Sequence, residues 1–361
     1  MTTPQDHRWM GAALALAERG RGRTAPNPNV GCVVVRDGVV VGRGWTQPGG
    51  RPHAEAMALA GSGARAGRAT AYVTLEPCAH GSLRGPACAD LLIAAGVARV
   101  VVALGDPDAR TDGAGIARLR AAGVAVDTGT RAGEARRSMA GFLTRQALGR
   151  PFVTLKLAMS LDGCIALAAG ESRWITGPEA RAHAHLERSR HEAILVGRGT
   201  WEADLPALDV RLPGLEAFSP VRAVLFSGRL NPHPSGAVAP PSLSQWEREQ
   251  SAAGGRKGEV VWISSPEGIA ELPGDHVLVE GGARTAAAFL RADLVDRLLL
   301  YRAPILIGGG LPSLADIGMT ALTEAHGRWQ LRDARRLGVD RLEVYERTAP
   351  SGKAGTTFPP G

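Results

Sequence analysis

The chain has 361 residues, 44% of them hydrophobic and 21% charged, which describes a folded globular protein and excludes the disordered and fibrous classes. That length exceeds one ordinary core and calls for two domains. Lysine and arginine number 42 against 35 acidic residues, a net charge of +7. No block of five or more basic residues occurs and aromatics are sparse, so nucleic acid is not an expected partner, whereas a basic surface suits small phosphorylated ligands. No stretch is apolar over the length of a membrane span, and MTTPQDHRWM lacks the apolar core of a secretory signal. A cytoplasmic protein with no membrane association is therefore expected. Four cysteines (Cys32, Cys78, Cys88, Cys164) are too few for a disulfide framework at this length.

Taken in chain order, apolar periodicity predicts a helix near residues 6 to 20, then the strands VGCVVVRDG and VVVGRGW joined by a hairpin turn at Asp37 and Gly38. A helix from His53, the strand ATAYVTL, a helix after Pro86 and the strand VARVVVAL follow. A helix at 114–122, the short strand VAVD and one helix over 131–148 complete this part. Helices alternating with strands predict an α/β sandwich. The boundary falls at Arg150 and Pro151, where the strand FVTLKLAM begins. Beyond it come a helix over 178–189, the strand EAILVG, a short helix near 200, and strands near 221–226, 259–263 and 275–279. A helix over 283–291 and the strand DRLLLYRAPIL end the readable pattern. The stretch from 229 to 258 is rich in proline, serine and glycine and is expected to be a flexible insertion, as is the tail over 349–361.

The segment RPHAEAMALA sets His53 and Glu55 two apart at a helix start, where alone they are ordinary first-turn residues. Downstream, EPCAHGSLRGPACADLL sets Cys78 at a strand end and Cys88 at a helix start, a position that favours a thiolate. One imidazole and two thiolates suit Zn²⁺ with a fourth position left open, the mark of a catalytic site. A non-ligating glutamate two residues from the histidine is then placed to carry protons, as in zinc deaminases. Nine residues separate the two cysteines, against two in the usual deaminase spacing. The second part lacks a G-x-G-x-x-G fingerprint. It has two strand-to-helix turns rich in glycine, ILVGRGTWEAD and VLVEGGARTAAAFL, where Gly197, Gly199, Gly281 and Gly282 would let backbone amides approach a phosphate.

The lengthened cysteine spacing, PNPNVG upstream and KLAMSLDGCIA…GESRWITGPEAR downstream resemble the bifunctional pyrimidine deaminase/reductase family of riboflavin biosynthesis, over residues 7 to about 347. The resemblance implies a cytidine-deaminase-like α/β/α sandwich followed by a dihydrofolate-reductase-like α/β domain. The expected domains are a zinc-dependent deaminase over 1–148 and an NADPH-dependent reductase over 151–348. In the first, His53, Cys78 and Cys88 would hold zinc and Glu55 would be catalytic. Asn27, His80 and Arg84 would meet the substrate, a small phosphoribosylaminopyrimidine. In the second, Ala158, Trp174, Thr200, Asp204, Ser227, Gly281 and Gly282 would lie along NADPH. Lys156, Ser172, Arg188, Leu208, Arg211 and Glu280 would face the ribose phosphate. The family's Asp-Asp-Pro reads Asp204-Leu205-Pro206 here, and its Leu-Thr reads Leu208-Asp209. A homo-oligomer, dimer or tetramer, is expected. A monofunctional nucleotide or nucleic-acid deaminase with a degenerate second domain is the competing expectation.

Overall fold

The first helix begins where its capping chemistry dictates. Thr3 and Asp6 form a reciprocal capping box and Pro4 occupies the first turn of α1 (Pro4–Ala17). Asp6 also accepts from Tyr72 at 2.9 Å and from Arg99 at 2.8 Å, which ties the helix start to the sheet beneath it. This is a computed structural model, and it describes residues 2–81, 85–226 and 260–348. Arg84, Ser227, the 229–258 stretch and the 349–361 tail lie outside the described residues. Contacts divide the chain into two compact units, Met1–Gly149 and a second that begins at Arg150.

In the first unit, β1 (Gly31–Arg36) and β2 (Val39–Trp45) form the hairpin, with Asp37 and Gly38 at positive φ. Next come α2 (Ala54–Ser62), β3 (Thr70–Val73), α3 (Cys88–Ala94), β4 (Arg99–Val102), α4 (Ala114–Ala121) and β5 (Ala125–Thr128). The sheet order is β2-β1-β3-β4-β5, antiparallel through β3 and parallel from β3 to β5. Strand β1 is buried on both faces because helices cover both. Glycines let them approach. A Cβ on Gly31 would lie 1.9 Å from the Ala13 carbonyl of α1, and one on Gly44 would lie 2.1 Å from the Ala54 carbonyl of α2.

The single helix expected over 131–148 is two, α5 (Ala132–Ser138) and α6 (Ala140–Leu148). The break falls at Met139 (φ −101°, ψ 20°), a fully buried residue. Ala135, Met139, Phe142 and Leu143 all enter one core, with the i, i+4, i+7, i+8 spacing of a single helix face, which is why the sequence reads as one helix across the break.

The second unit contains β6 (Phe152–Met159), β7 (Cys164–Ala166), α7 (Pro178–Arg188), β8 (Ala193–Gly197), α8 (Arg198–Asp204), β9 (Val221–Leu225) and β10 (Val260–Ile263). Then follow β11 (His276–Val279), α9 (Ala283–Arg291), β12 (Arg297–Arg302), β13 (Leu311–Pro312), β14 (Trp329–Leu337) and β15 (Asp340–Arg347). Eight strands make the main sheet in the order β10-β9-β8-β11-β6-β12-β15-β14, parallel from β10 to β12 and antiparallel beyond. The hairpin β14–β15 is a correction to the sequence reading. Strand β14, WQLRDARRL, is an exposed edge strand and carries no apolar alternation to betray it. Strand β12 ends at Arg302, short of the APIL once expected to continue it, because Pro304 follows and the backbone turns back to bond Leu161.

Candidate functional site

His53 is the N-cap of α2, Glu55 sits in its first turn, Cys78 follows the carboxyl end of β3, and Cys88 opens α3. The loop after β3 and the two helix starts therefore supply every donor. One ligand atom from each of His53, Cys78 and Cys88 lies within 4.8 Å of the others. His53 Nδ1 is 3.3 Å from Cys88 Sγ and 3.7 Å from Cys78 Sγ. A tetrahedral zinc bonded to one nitrogen and two sulfurs requires N···S edges of about 3.5 Å, so the donor set fits the ion. The backbone N–H of Cys88 donates to Cys78 Sγ at 3.3 Å. The Cys88 thiol, His53 and that N–H hold the Cys78 thiol well below its ordinary range, whereas Cys88, the helix-start cysteine for which the sequence implied a thiolate, is pushed up by the neighbouring Cys78 and by burial.

Glu55 is 3% exposed. Burial raises its carboxyl, offset in part by His53, which suits a group that both takes and returns a proton. Asn27 donates to the Gly50 carbonyl at 2.7 Å, and its amide nitrogen is 3.2 Å from His53 Nε2. All four of Asn27, His53, Glu55 and Cys78 line one cavity of about 370 Å³. His80 lines it too, with Nδ1 3.4 Å from the Thr111 hydroxyl. Thr46 also lines the cavity while its hydroxyl accepts from the Val30 N–H at 3.0 Å.

Five further lining residues were not anticipated: Arg51, Glu76, Asp106, Asp108 and Arg110. Glu76, Asp106 and Asp108 follow the carboxyl ends of neighbouring strands β3 and β4, the edge at which α/β sheets bind ligands, and that is the signal that could have found them. Glu76 accepts from the backbone of Gly113 and Ile116 at 3.1 and 3.0 Å and so shapes the wall. Burial, with Asp108, Glu76 and Cys78 nearby, pushes Asp106 up to about 6, while Arg110 holds Asp108 down to about 2.

In the second unit the expected residues gather at the carboxyl edge of the parallel strands. Ala158 lies near the end of β6, Thr200 and Asp204 lie on α8 after β8, and Glu280, Gly281 and Gly282 join β11 to α9. Glu280 forms a two-pronged ion pair with Arg188, 2.8 and 3.0 Å, and lies 3.6 Å from Lys156 Nζ. Burial alone would raise the Glu280 carboxyl, but Lys156 and Arg188 outweigh it and hold it at about 2. Arg188 also donates to the Asp209 carbonyl at 3.0 Å, and the Asp209 carboxylate lies 3.5 Å from Arg211.

The glycines divide by role. A Cβ on Gly281 would meet Thr285 at 2.4 Å and one on Gly197 would meet it at 2.1 Å, so both are demanded by packing. Gly199 faces open space, and Gly282 would touch only the Thr200 hydroxyl at 3.5 Å, which leaves a shallow backbone-lined cradle between the starts of α8 and α9. Leu208 is buried among Ile194, Val196, Val224 and Leu278 at φ 54°, so only its backbone is free to meet a ligand. Ser172 and Trp174 are exposed on the loop before α7, with Arg181 stacked over the Trp174 ring at 4.7 Å. Asp204 pairs with Arg173 at 3.7 Å.

The sequence pattern described as the RibD C-terminal domain matches residues 151–342, and that of the cytidine and deoxycytidylate deaminase zinc-binding region matches residues 3–104. The riboflavin biosynthesis protein RibD of Escherichia coli is 40% identical, over 93% of this chain and 98% of its own. The chain belongs to the RibD family. Aquifex aeolicus RibD is 38% identical over 95% of this chain and 98% of its own length. Among solved structures, Acinetobacter baumannii RibD superposes with a TM-score of 0.79 at 35% identity, covering 96% of this chain and 99% of its own. A Thermotoga maritima protein described as a diaminohydroxyphosphoribosylaminopyrimidine deaminase/5-amino-6-(5-phosphoribosylamino)uracil reductase also reaches 0.79, at 30% identity over 95% and 99% of the two chains. This RibD-family chain is thus a bifunctional enzyme of riboflavin biosynthesis, with a cytidine-deaminase-like zinc domain and an NADPH-dependent, dihydrofolate-reductase-like domain. The competing expectation of a lone deaminase with a degenerate second domain falls. Among the described residues no helix is long and apolar enough to cross a membrane.

Proposed function

We propose that the chain hydrolytically deaminates 2,5-diamino-6-(5-phosphoribosylamino)pyrimidin-4-one at the His53–Cys78–Cys88 centre. It then reduces the ribosyl side chain of the product to ribityl at the carboxyl edge of its second sheet. The observation that carries the first half is a buried Glu55 that shares a cavity with Asn27, His53 and Cys78, two of the three convergent donors, the third being the buried Cys88. Zinc held by those donors lowers the pKa of a bound water toward neutrality. Glu55 carries one proton of the attacking water to the ring nitrogen as the C–O bond forms, then the remaining hydroxyl proton to the leaving amine, so that the C–N bond breaks, ammonia departs and a carbonyl remains. Asn27 can donate to and accept from the pyrimidine edge. His80 and Arg84 are the further substrate contacts.

For the second step, NADPH bound along that edge would supply hydride to C1′ of the open-chain imine. Ala158, Trp174, Thr200, Asp204, Ser227, Gly281 and Gly282 line the cofactor. Lys156, partnered by Glu280, steadies charge near the sugar, and Arg188 and Arg211 with Ser172 and the Leu208 backbone hold the ribose phosphate. We read the enzyme as cytoplasmic, acting on a free nucleotide and not on nucleic acid. We read it also as a homo-oligomer, which the exposed side chains of Leu161, Leu306 and Leu311 support and a light-scattering mass tests.

The testing experiment follows ammonia and NADPH absorbance together, in the wild type and in Glu55→Gln. The variant is expected to keep its zinc and to reduce the pre-deaminated uracil compound, yet to release no ammonia. A Glu55→Gln enzyme that deaminates at the wild-type rate would sink the assignment.

A further inference from the structure

The deaminase cavity is rich in acid. Glu55, Glu76, Asp106 and Asp108 line it beside the Cys78 thiol, so a phosphorylated substrate entering there meets repulsion unless a cation receives its phosphate. Arg110 is already committed, since its Nε and Nη2 both donate to the Asp108 carboxylate at 2.5 to 3.1 Å. His80 is turned toward Thr111. Arg51 differs. Among the described residues its guanidinium, half-buried on the cavity wall, has no carboxylate, carbonyl or ring partner.

Its position is built by its surroundings. Arg51 follows Gly50, whose carbonyl holds Asn27, so its backbone is anchored at one side of the cavity and its long side chain extends away from there. Its guanidinium reaches across to Gly85, where a Cβ would lie 3.0 Å from Nη1 and where φ is +146°, a backbone state that glycine alone adopts readily. The loop thus leaves space over Gly85 that the guanidinium occupies. A half-buried guanidinium at a cavity wall, without a partner among the described residues, has the chemistry that takes phosphate, through two parallel N–H donors.

We propose that Arg51 anchors the phosphate of the deaminase substrate and sets that site's preference for a phosphorylated ligand over its nucleoside. This rests on the deaminase reading above. Because Arg51 touches the end of the substrate remote from the reacting carbon, it acts on binding more than on the chemical step.

The test compares wild type, Arg51→Gln and Arg51→Lys by ammonia release. The readouts are KM and kcat for the phosphorylated diaminopyrimidinone, inhibition by ribose 5-phosphate, bound zinc, and NADPH oxidation on the pre-deaminated compound. Arg51→Gln is expected to raise KM by about 10- to 100-fold, the worth of one charged hydrogen-bonded contact, with kcat and zinc content little changed. Ribose 5-phosphate inhibition weakens by a similar factor, Arg51→Lys recovers part of both, and NADPH oxidation matches wild type. An unchanged KM and unchanged inhibition overturn the proposal. So does a variant that loses kcat and zinc at unaltered KM, since that is disturbance of neighbouring His53. A wild type that releases no ammonia from this substrate overturns the deaminase reading itself, and the proposal with it.

Discussion

At the scale of single residues, the two sites handle buried charge in opposite ways. Glu55 is a buried carboxyl whose surroundings favour its protonated form, and so it is poised to exchange a proton. Glu280 is equally enclosed, but two cations keep it ionised at all ordinary pH. Since the folded pKa of Glu280, about 2, lies below the ordinary 4.5, its ionisation stabilises the fold above about pH 4.5, and that contribution drains away as pH falls toward 2. Glu280→Gln, which strands Arg188 and Lys156, is expected to destabilise the second unit by about 3 to 5 kcal/mol at neutral pH. The deficit should shrink between pH 4.5 and pH 2, and denaturant melts of wild type and variant at pH 7 and near pH 3 read it directly. His53, Glu55, Cys78 and Cys88 were legible in the sequence because their spacing is local and each ligand lies beside a helix start or strand end. Arg51, Asp106 and Arg110 were not, because two segments far apart in the chain, the one before α2 and the one after β4, bring them to one cavity.

At the scale of elements, the zinc donors are placed by helix-on-sheet contacts that glycines permit. Helix α2, which carries His53 and Glu55 at its start, lies against β2 at Gly42 and Gly44, where added Cβ atoms would each fall 2.1 Å from a helix carbonyl. Gly44→Ala is therefore expected to push α2 outward, destabilise the first unit by about 1 to 3 kcal/mol, and lower zinc content and ammonia release together. NADPH oxidation on the pre-deaminated compound should stay at the wild-type level, which metal analysis and the two assays check side by side. The elements misread from sequence fail for related reasons. Helix 131–148 has continuous periodicity, with Ala135, Met139, Phe142 and Leu143 on one buried face, and that continuity hides the backbone break at Met139. Hairpin β14–β15 is charged on most exposed positions, and its pairing with β12 through β15 is what makes it sheet.

At the scale of the whole molecule, two chemistries that share one nucleotide sit on two units with separate cores. The His/Cys cluster that suits a metal lies in the first. Treatment with a strong chelator is expected to abolish ammonia release while NADPH oxidation on the pre-deaminated compound persists, and added Zn²⁺ should restore the former. Loss of both activities on chelation, read in the same paired assay, would contradict that independence. By itself the sequence determined the alternation of helices and strands, the His53–Cys78–Cys88 cluster with Glu55 beside it, and the glycine turns before two helices. All of these are set by residues near one another in the chain, where periodicity and capping act. Only the tertiary structure decided which glycines are packing contacts and which face open space, that Glu280 is locked between two cations, and that Arg51 alone among the described cations of the deaminase cavity has no partner. Those facts depend on which strands lie side by side, and long-range burial, not local spacing, selects that order.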